Sequence, residues 1–137
     1  MYRIVIIGVG GFGREVFEWT QCMFEAQGKQ IDIVFLDDNS NALSDYDIDS
    51  EIVGNTLDFV PEPDDLIVCA IGDPQVRMRI VRRFEEKGAR FISIIHPQAY
   101  VSPTATLGDG CVIAPGAIVS SYAHLGRHVV LNLQATA

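Results

Sequence analysis

The first 95 residues alternate between short apolar runs and segments with the periodicity of amphipathic helices. Apolar runs of five to seven residues that begin and end at polar residues or glycine are typical of strands buried on both faces of a parallel sheet. The predicted strands are Arg3–Gly8, Ile31–Leu36, Leu66–Gly72 and Phe91–Ile95, with a weaker one at Glu51–Thr56. Residues 40–50 are polar and are predicted to form a long loop.

Two helices are predicted between these strands. Residues 14–26 place apolar side chains on one helical stripe, and Gly28 ends it. Asp73 and Pro74 provide an N-cap and a first helical residue for a helix that runs to about Lys87. The order β-α-β-β-β-α-β predicts a right-handed, parallel α/β unit, a Rossmann-like domain over residues 1–95.

After residue 95 the pattern changes to a period of six. Each hexad carries one aliphatic residue and, four positions later, one small residue. The aliphatic series is Ile95, Val101, Leu107, Ile113, Val119, Leu125 and Leu131, and the second series is Ala99, Ala105, Cys111, Ala117, Ala123, Val129 and Ala135. Such regularity predicts a repeat architecture. We expect residues 96–137 to form the first coils of a left-handed parallel β-helix, a three-sided prism with one hexad per face; a right-handed parallel β-helix is the rival.

Composition narrows the classes of function. The net charge is −8, which argues against binding to nucleic acid. The chain has no apolar run of 18 residues and no signal-peptide pattern at its start, so we expect a cytoplasmic protein. The three cysteines are far apart and lie among apolar neighbours, so neither a metal site nor a disulfide is expected. Four arginines at positions 77–83 predict a solvated helix face, with an anion or partner contact as the alternative.

The candidate chemistry begins with the sequence GVGGFG at residues 8–13, which satisfies Gly-x-Gly-x-x-Gly between a strand and a helix. Glycines there let backbone amides approach a phosphate, and the helix N-terminus adds partial positive charge. Asp37 and Asp38 follow the second strand, where a carboxylate is well placed to bind a ribose hydroxyl. Gly72 and Asp73 should lie at the same edge of the sheet. The alternatives are glycines that only make a close turn and aspartates that only cap a loop.

Taken together, these motifs resemble the sialic acid O-acetyltransferase family of bacterial sugar acyltransferases (the NeuD/PglD-like hexapeptide-repeat transferases), which includes UDP-4-amino-sugar N-acetyltransferases. The resemblance covers the whole chain and depends on the combination of its parts. These are residues 8–16, Phe35–Asp38, Ala70–Pro74, the Ile95-His96-Pro97 junction, the hexads and Asn132.

The resemblance implies an enzyme that moves an acetyl group from acetyl-CoA to an amino or hydroxyl group of a sugar in bacterial surface glycan biosynthesis. It implies a homotrimer of β-helices, with acetyl-CoA between neighbouring prisms and no metal. The substrate-binding residues would be Gly10, Gly11, Phe12, Gly13 and Arg14 at the phosphates, Asp37 and Asp38 at the nucleoside, and Gly72 and Asp73 at the sugar. Asn132 would also belong to them.

The resemblance also implies a histidine general base a few residues after Asn132, beyond Ala137, so we expect this chain by itself not to transfer acetyl groups. His124 and His128 do not fit that motif and are expected to be turn or surface residues, and His96 is expected to form a hydrogen bond at the domain junction. Phe12 stands where many UDP-amino-sugar members carry histidine, which leaves a free sugar such as sialic acid open as the acceptor.

Two other classes of function stay open at this point. The glycine motif and Asp37 also suit an NAD-dependent oxidoreductase, although the hexads do not resemble a catalytic domain of that class. A non-catalytic protein that binds a ligand or assembles through the prism is the third possibility. The sequence does not decide between O- and N-acetylation, the acceptor sugar or the acyl chain length.

Overall fold

The computed structural model describes residues 2–137. The chain forms two helices and twelve strands within this range. The elements are β1 (Arg3–Ile7), α1 (Gly11–Ala26), β2 (Asp32–Leu36), β3 (Ile52–Gly54), β4 (Asp65–Cys69), α2 (Pro74–Glu86), β5 (Arg90–Phe91), β6 (Ile94–Ile95), β7 (Tyr100–Val101), β8 (Thr106–Leu107), β9 (Val112–Ile113), β10 (Ile118–Val119), β11 (His124–Leu125) and β12 (Val130–Leu131).

The first five strands form one parallel sheet in the order β3-β2-β1-β4-β5. Successive residues of β1 point to opposite faces: Ile4 and Ile6 join the core beneath α1, whereas Val5 and Ile7 join the core beneath α2. Both faces of the central strands are therefore covered by helices. This explains why their sequences are continuous apolar runs with no polar alternation.

The predicted order of elements is confirmed, and two of the differences in their bounds are larger than the shifts at strand ends. Helix α1 begins at Gly11, so the last three residues of the glycine motif form its first turn. The strand predicted at residues 91–95 is two strands that belong to different sheets: Phe91 lies beside Ile67 of β4, whereas Ile94 and Ile95 pair with β9. Between them the Ser93 hydroxyl donates to the carbonyl of Gly108 and accepts from the N–H of Cys111.

From β6 onward the strands form three parallel ladders. The ladders are β6-β9-β12, β7-β10 and β8-β11, and each strand pairs with the strand 18 residues later. Three hexads therefore make one turn of a three-sided coil. The aliphatic residues of all seven hexads lie together in its interior with the small residues at positions 99, 105, 111, 117, 123 and 129. The predicted period of six is confirmed at these positions.

One face of the coil packs against the sheet domain. Ile94 and Val112, from adjacent strands of one ladder, are fully buried in the same core as Val16 of α1. On a second contact, the ring of His128 meets the ring of Phe91 edge-on, with centroids 4.5 Å apart. Beside this pair, Arg127 forms an ion pair with Glu85 of α2. The coil therefore contacts both α1 and the end of α2.

Within residues 2–137, neither helix is long and apolar enough to cross a membrane.

Candidate functional site

The carboxyl ends of three neighbouring strands define the candidate site. Ile7 of β1 lies opposite Leu36 of β2 and Cys69 of β4, so the loops that follow these strands emerge at one edge. The chain turns toward β2 after β1 and reaches β4 only after β3, so the strand order reverses between β1 and β4. Ligands of open parallel sheets bind in the crevice at such a reversal.

Two glycines of the motif are required by the fold. Gly8 has φ of +101°, and a side chain there would meet the Ile71 Cδ1 atom at 2.7 Å. A Cβ at Gly13 would lie 1.9 Å from the carbonyl oxygen of Gly8, because α1 packs directly against the end of β1. Gly8 and Gly13 therefore fit the interpretation that glycine serves a close turn between strand and helix.

The other two predicted glycines are not required in this way. Gly10 has φ of −67°, and nothing lies within 4 Å of a Cβ placed there. A Cβ at Gly11 would have only Arg14 Nη2 near it, at 3.9 Å. The space above Gly10 and Gly11 is open, as backbone contact with a ligand requires.

The N-termini of the two helices differ. Asp73 caps α2, since its Oδ1 atom accepts from the N–H groups of Gln75 (2.9 Å) and Val76 (3.3 Å). At α1 the N-cap is Gly10, and no side chain accepts from the first turn. The free N–H groups and the helix dipole make the start of α1 the end that suits an anion. Asp73 has the capping role that the sequence predicted.

The two aspartates after β2 have different partners. The Oδ2 atom of Asp37 accepts from the N–H of Val9 (3.0 Å), and its Oδ1 accepts from the N–H of Asn39 (2.9 Å). Asp37 therefore ties the glycine loop to the end of β2. Asp38 is exposed, and its Oδ1 accepts from both the N–H (3.0 Å) and the hydroxyl (3.1 Å) of Thr56.

Arg14 and Phe12 lie on opposite sides of the first turn of α1. The Arg14 Nη1 atom donates to the Val9 carbonyl (3.0 Å), and its guanidinium stacks on the ring of Tyr46, 3.8 Å from the centroid. Phe12 packs inward, edge-on to Trp19. Arg14 thus brings positive charge beside the open glycines, while Phe12 supplies apolar packing.

The loop after β4 is held by an arginine that the sequence did not single out as a site residue. The Nη1 atom of Arg77 donates to the carbonyls of Ile71 (2.9 Å) and Gly72 (3.3 Å). Arg83 is also bonded, through the Thr56 hydroxyl, whereas Arg79 and Arg82 are exposed. The prediction of a solvated face is wrong for Arg77 and Arg83, which are half-buried and face the loops. Their spacing within one charge run gave no signal of this.

Asn132 lies apart from the other predicted site residues. It follows β12 on the coil, where its Oδ1 atom accepts from the N–H of Leu133. The other nine predicted residues lie on the loops and first helical turn at the edge of the sheet.

The histidines occupy three different environments. His96 accepts from the N–H of Gln98 through Nδ1, and burial lowers its pKa. His124 is exposed and hydrogen-bonds the hydroxyl of Thr106, as expected of a surface residue. His128 is in a turn, as expected, with φ of +60°. It is only 3% exposed, so it is not a surface residue. Burial and the nearby Arg127 lower the pKa of His128, against the opposing effects of Glu85 and Asp109.

Cys69 lies at the carboxyl end of β4. Burial raises the pKa of the Cys69 thiol to about 12, so it stays protonated at neutral pH. All three cysteines are free, and Cys69 and Cys111 are buried. No cluster of three or more histidine, cysteine, aspartate or glutamate side chains suited to a metal occurs in the described part of the chain.

A parallel sheet covered by helices on both faces, with an open glycine loop at its reversal point, places the chain in the α/β class. The family described as "PglD N-terminal domain" matches residues 3–84. The chain belongs to this family, and its resemblance to bacterial sugar acyltransferases is confirmed.

The similarity of this chain to two curated proteins extends beyond the matched domain. The chain is 28% identical to GDP-perosamine N-acetyltransferase of Escherichia coli O157:H7 over 131 residues, 93% of this chain and 58% of that protein. It is 30% identical to UDP-N-acetylbacillosamine N-acetyltransferase of Bacillus subtilis (strain 168) over 117 residues, which are 82% of this chain and 51% of that protein. The chain thus spans about half to three-fifths of the length of these curated relatives.

Among solved structures, the acetyltransferase domain of PglB from Neisseria gonorrhoeae FA1090, in complex with acetyl coenzyme A, superposes with a TM-score of 0.82. The sequence identity is 30%, and the match covers 98% of this chain and 63% of that one. The similarity therefore includes the coil as well as the sheet domain.

Proposed function

We propose that this chain is part of an acetyltransferase that moves an acetyl group from acetyl-CoA to the amino group of a nucleotide-linked sugar in bacterial surface glycan biosynthesis. The sugar amine attacks the thioester carbonyl, a C–N bond forms, the C–S bond breaks, and the coenzyme leaves as its thiol after protonation. Transfer to a hydroxyl is the weaker form of the proposal, because both curated relatives are named as N-acetyltransferases.

One observation carries the proposal: the open, uncapped start of α1 at the reversal point of the sheet. The fold needs glycine at positions 8 and 13 but not at 10 and 11, where a Cβ would meet little or nothing. Glycine at Gly10 and Gly11 is thus accounted for by a ligand that approaches the backbone there. A diphosphate suits this position, because free N–H groups, the helix dipole and Arg14 all favour an anion.

The remaining predicted residues receive roles within this proposal. Asp38, which is exposed, would contact the nucleoside, and Gly72 would leave room for the sugar, since nothing lies within 4 Å of a Cβ there. Phe12 in place of histidine does not argue against a nucleotide-linked acceptor, because its ring packs on Trp19 and leaves the phosphate region to the backbone. Asn132 would act on the coil, at the acetyl-CoA half of the site.

We also propose that the coil is the beginning of a left-handed β-helix, with the domain division at residue 95, and that it forms homotrimers. The strict six-residue period and the 18-residue offset of the ladders support the first point. An exposed apolar stripe supports the second, since Tyr100 and Ile118 are neighbours on one ladder and are 58% and 43% exposed. Size-exclusion chromatography with light scattering should give a mass three times that of the chain; a monomer would contradict the trimer.

The first experiment is a calorimetric titration of the chain with UDP, GDP, a UDP-linked 4-amino sugar, free sialic acid and NADH. We expect saturable binding of a nucleoside diphosphate and of its sugar conjugate. Binding of NADH alone would favour an oxidoreductase, and binding of sialic acid alone would favour a free sugar.

A matched variant makes the test specific. Gly10→Ala adds one methyl group in open space, so the fold should be unchanged while the methyl group blocks a phosphate on the backbone. We expect its dissociation constant to rise at least tenfold, with an unchanged circular dichroism spectrum. Unaltered affinity in Gly10→Ala would place the ligand elsewhere and contradict the proposed site.

A further inference from the structure

A chain of hydrogen bonds runs from helix α2 to the exposed Asp38 through a buried threonine. The Arg83 Nη1 atom donates to the Thr56 hydroxyl (2.9 Å), which lies 3.1 Å from the Asp38 Oδ1 atom. The Thr56 N–H donates to the same oxygen (3.0 Å). We refer to Arg83, Thr56 and Asp38 as the strut.

The direction of the hydrogen bonds in the strut is fixed by chemistry. A guanidinium has donors and no acceptor, so Arg83 must donate to the Thr56 oxygen. The hydroxyl proton of Thr56 is then directed to the carboxylate of Asp38, and the positive charge behind the hydroxyl strengthens it as a donor. Thr56 is only 5% exposed, so water competes little for these groups.

The turn that carries Thr56 is held in place as well. The Nζ atom of Lys87, the residue directly after α2, donates to the carbonyls of Leu57 (2.8 Å) and Phe59 (2.7 Å). The side chain of Asn55 accepts from the N–H groups of Leu57 and Asp58. Arg83 of α2 and Lys87, the residue directly after α2, thus hold this turn, and the turn bonds Asp38 through Thr56.

The two oxygens of Asp38 are used unequally. Oδ1 accepts two hydrogen bonds, which fills its lone pairs, whereas Oδ2 lies 3.5 Å from the Thr56 hydroxyl, beyond the ordinary range for O–H···O bonds. Asp37 differs, because each of its oxygens is already bonded by the loop that it supports. Of the two carboxylates, Asp38 is the one that keeps a whole oxygen for a ligand donor.

We propose that Arg83 and Thr56 are positioning residues that hold the Asp38 carboxylate in the orientation that binds the nucleoside, while Asp37 is committed to the glycine loop. This inference rests on the proposed function and deepens it, because it assigns to the outer helix α2 a part in nucleotide recognition. It also gives a reason for an arginine at position 83, which is half-buried, whereas Arg79 and Arg82 of the same helix are exposed.

The test compares variants in calorimetric titrations with UDP and GDP. Thr56→Val keeps the size and the N–H but removes the hydroxyl, and we expect the dissociation constant to rise about tenfold, as for loss of a hydrogen bond to a charged group. Arg83→Gln should weaken binding in the same direction. Two controls should keep a dissociation constant within about twofold of wild type. They are Thr56→Ser, which keeps the hydroxyl, and Arg79→Gln, on the exposed side of α2.

A double-mutant cycle separates positioning from general stability. In an Asp38→Asn background, Thr56→Val should have little further effect on affinity, because the group through which it acts is altered. The proposal is overturned if the two effects add, or if Thr56→Val binds as wild type does.

The proposed function and the strut fail in different ways. If wild type binds neither UDP nor GDP, the proposed function fails, and hydrogen exchange of the Thr56 amide decides the strut by itself. Asp38→Ala and Arg83→Gln should each speed that exchange at least tenfold, and an unchanged rate in both would overturn the strut.

Discussion

Gly13 of α1 lies so close to Gly8, the residue directly after β1, that it has no room for a side chain, and this gives a sharp prediction. A Cβ at this position would lie 1.9 Å from the Gly8 carbonyl oxygen and 2.7 Å from its carbon, whereas real Cβ atoms do not come within 3.0 Å. Because the obstacle is backbone, no rotamer change removes it. In Gly13→Ala the helix must move from the strand by about 1 Å.

Two opposing contributions determine how much Gly13→Ala changes the free energy of unfolding. Forcing an extra methyl group into close-packed structure costs about 1 to 3 kcal/mol and sometimes more. Alanine in place of glycine within a helix gains up to about 1 kcal/mol. The steric term wins here, because the required shift separates α1 from a core that includes Val16 and Phe17. We expect Gly13→Ala to lower the free energy of unfolding by about 2 kcal/mol, a fall in Tm of roughly 8 °C for a chain of this size.

Gly11→Ala is the matched control, because it makes the same chemical change two residues earlier in the same turn. Its Cβ has only Arg14 Nη2 near it, at 3.9 Å, so stability should be unchanged or slightly higher. The assay is urea unfolding of both variants followed by far-ultraviolet circular dichroism. If Gly13→Ala is as stable as Gly11→Ala, α1 does not pack on β1 as closely as the structure indicates.

Three further predictions concern Gly110 and His128 on the coil and the ion pair between Arg3 and Asp65 at the amino ends of β1 and β4. Gly110→Ala should lower the free energy of unfolding by about 2 kcal/mol, because Gly110 has φ of +75° and its Cβ would meet the buried His128 ring. The control is Gly126→Ala, since nothing lies within 4 Å of a Cβ at that position. Equal midpoints of the two variants in chemical denaturation would refute the prediction. Since the pKa of His128 is lowered from 6.5, the unfolded chain binds more protons, so stability should fall as the pH drops below about 6.5; thermal melts should show this fall reduced in His128→Asn but not in His124→Asn. Arg3→Ala should cost about 3 kcal/mol, because it removes the ion-pair partner of Asp65, which is 3% exposed; a Tm within 3 °C of wild type would contradict this.

The sequence predicted the fold well because the relevant signals are local. Continuous apolar runs mark strands that are covered on both faces, and β1 shows this cover directly, with α1 on one side and α2 on the other. The period of six predicted which side chains lie in the interior of the coil, because a repeat can be recognised from its spacing alone. The split between Phe91 and Ile94 was missed because it depends on distant partners, β4 for one and β9 for the other.

The different environments of the candidate site residues could not be predicted from the sequence, because they depend on distances between parts of the chain that are far apart in sequence. A motif shows where glycines occur, but only distances show that Gly13 serves packing while Gly10 leaves open space. Likewise, Asp37 and Asp38 are equivalent in sequence and become different only through their partners, Val9 for one and Thr56 for the other.

The arginines of α2 show what decides whether an arginine within a charge run faces solvent. Helical spacing predicts that some arginines in residues 77–83 face solvent, and Arg79 and Arg82 do. Arg83 lies instead above a turn that ends the third strand, 27 residues earlier in the chain, and no sequence pattern links the two. A buried hydroxyl between a guanidinium and an exposed carboxylate has its proton directed by its neighbours, so it transmits orientation as well as stability. If Asp38 binds the nucleoside as proposed, this contact makes helix α2 part of the ligand-binding surface, although α2 is remote from the glycine loop.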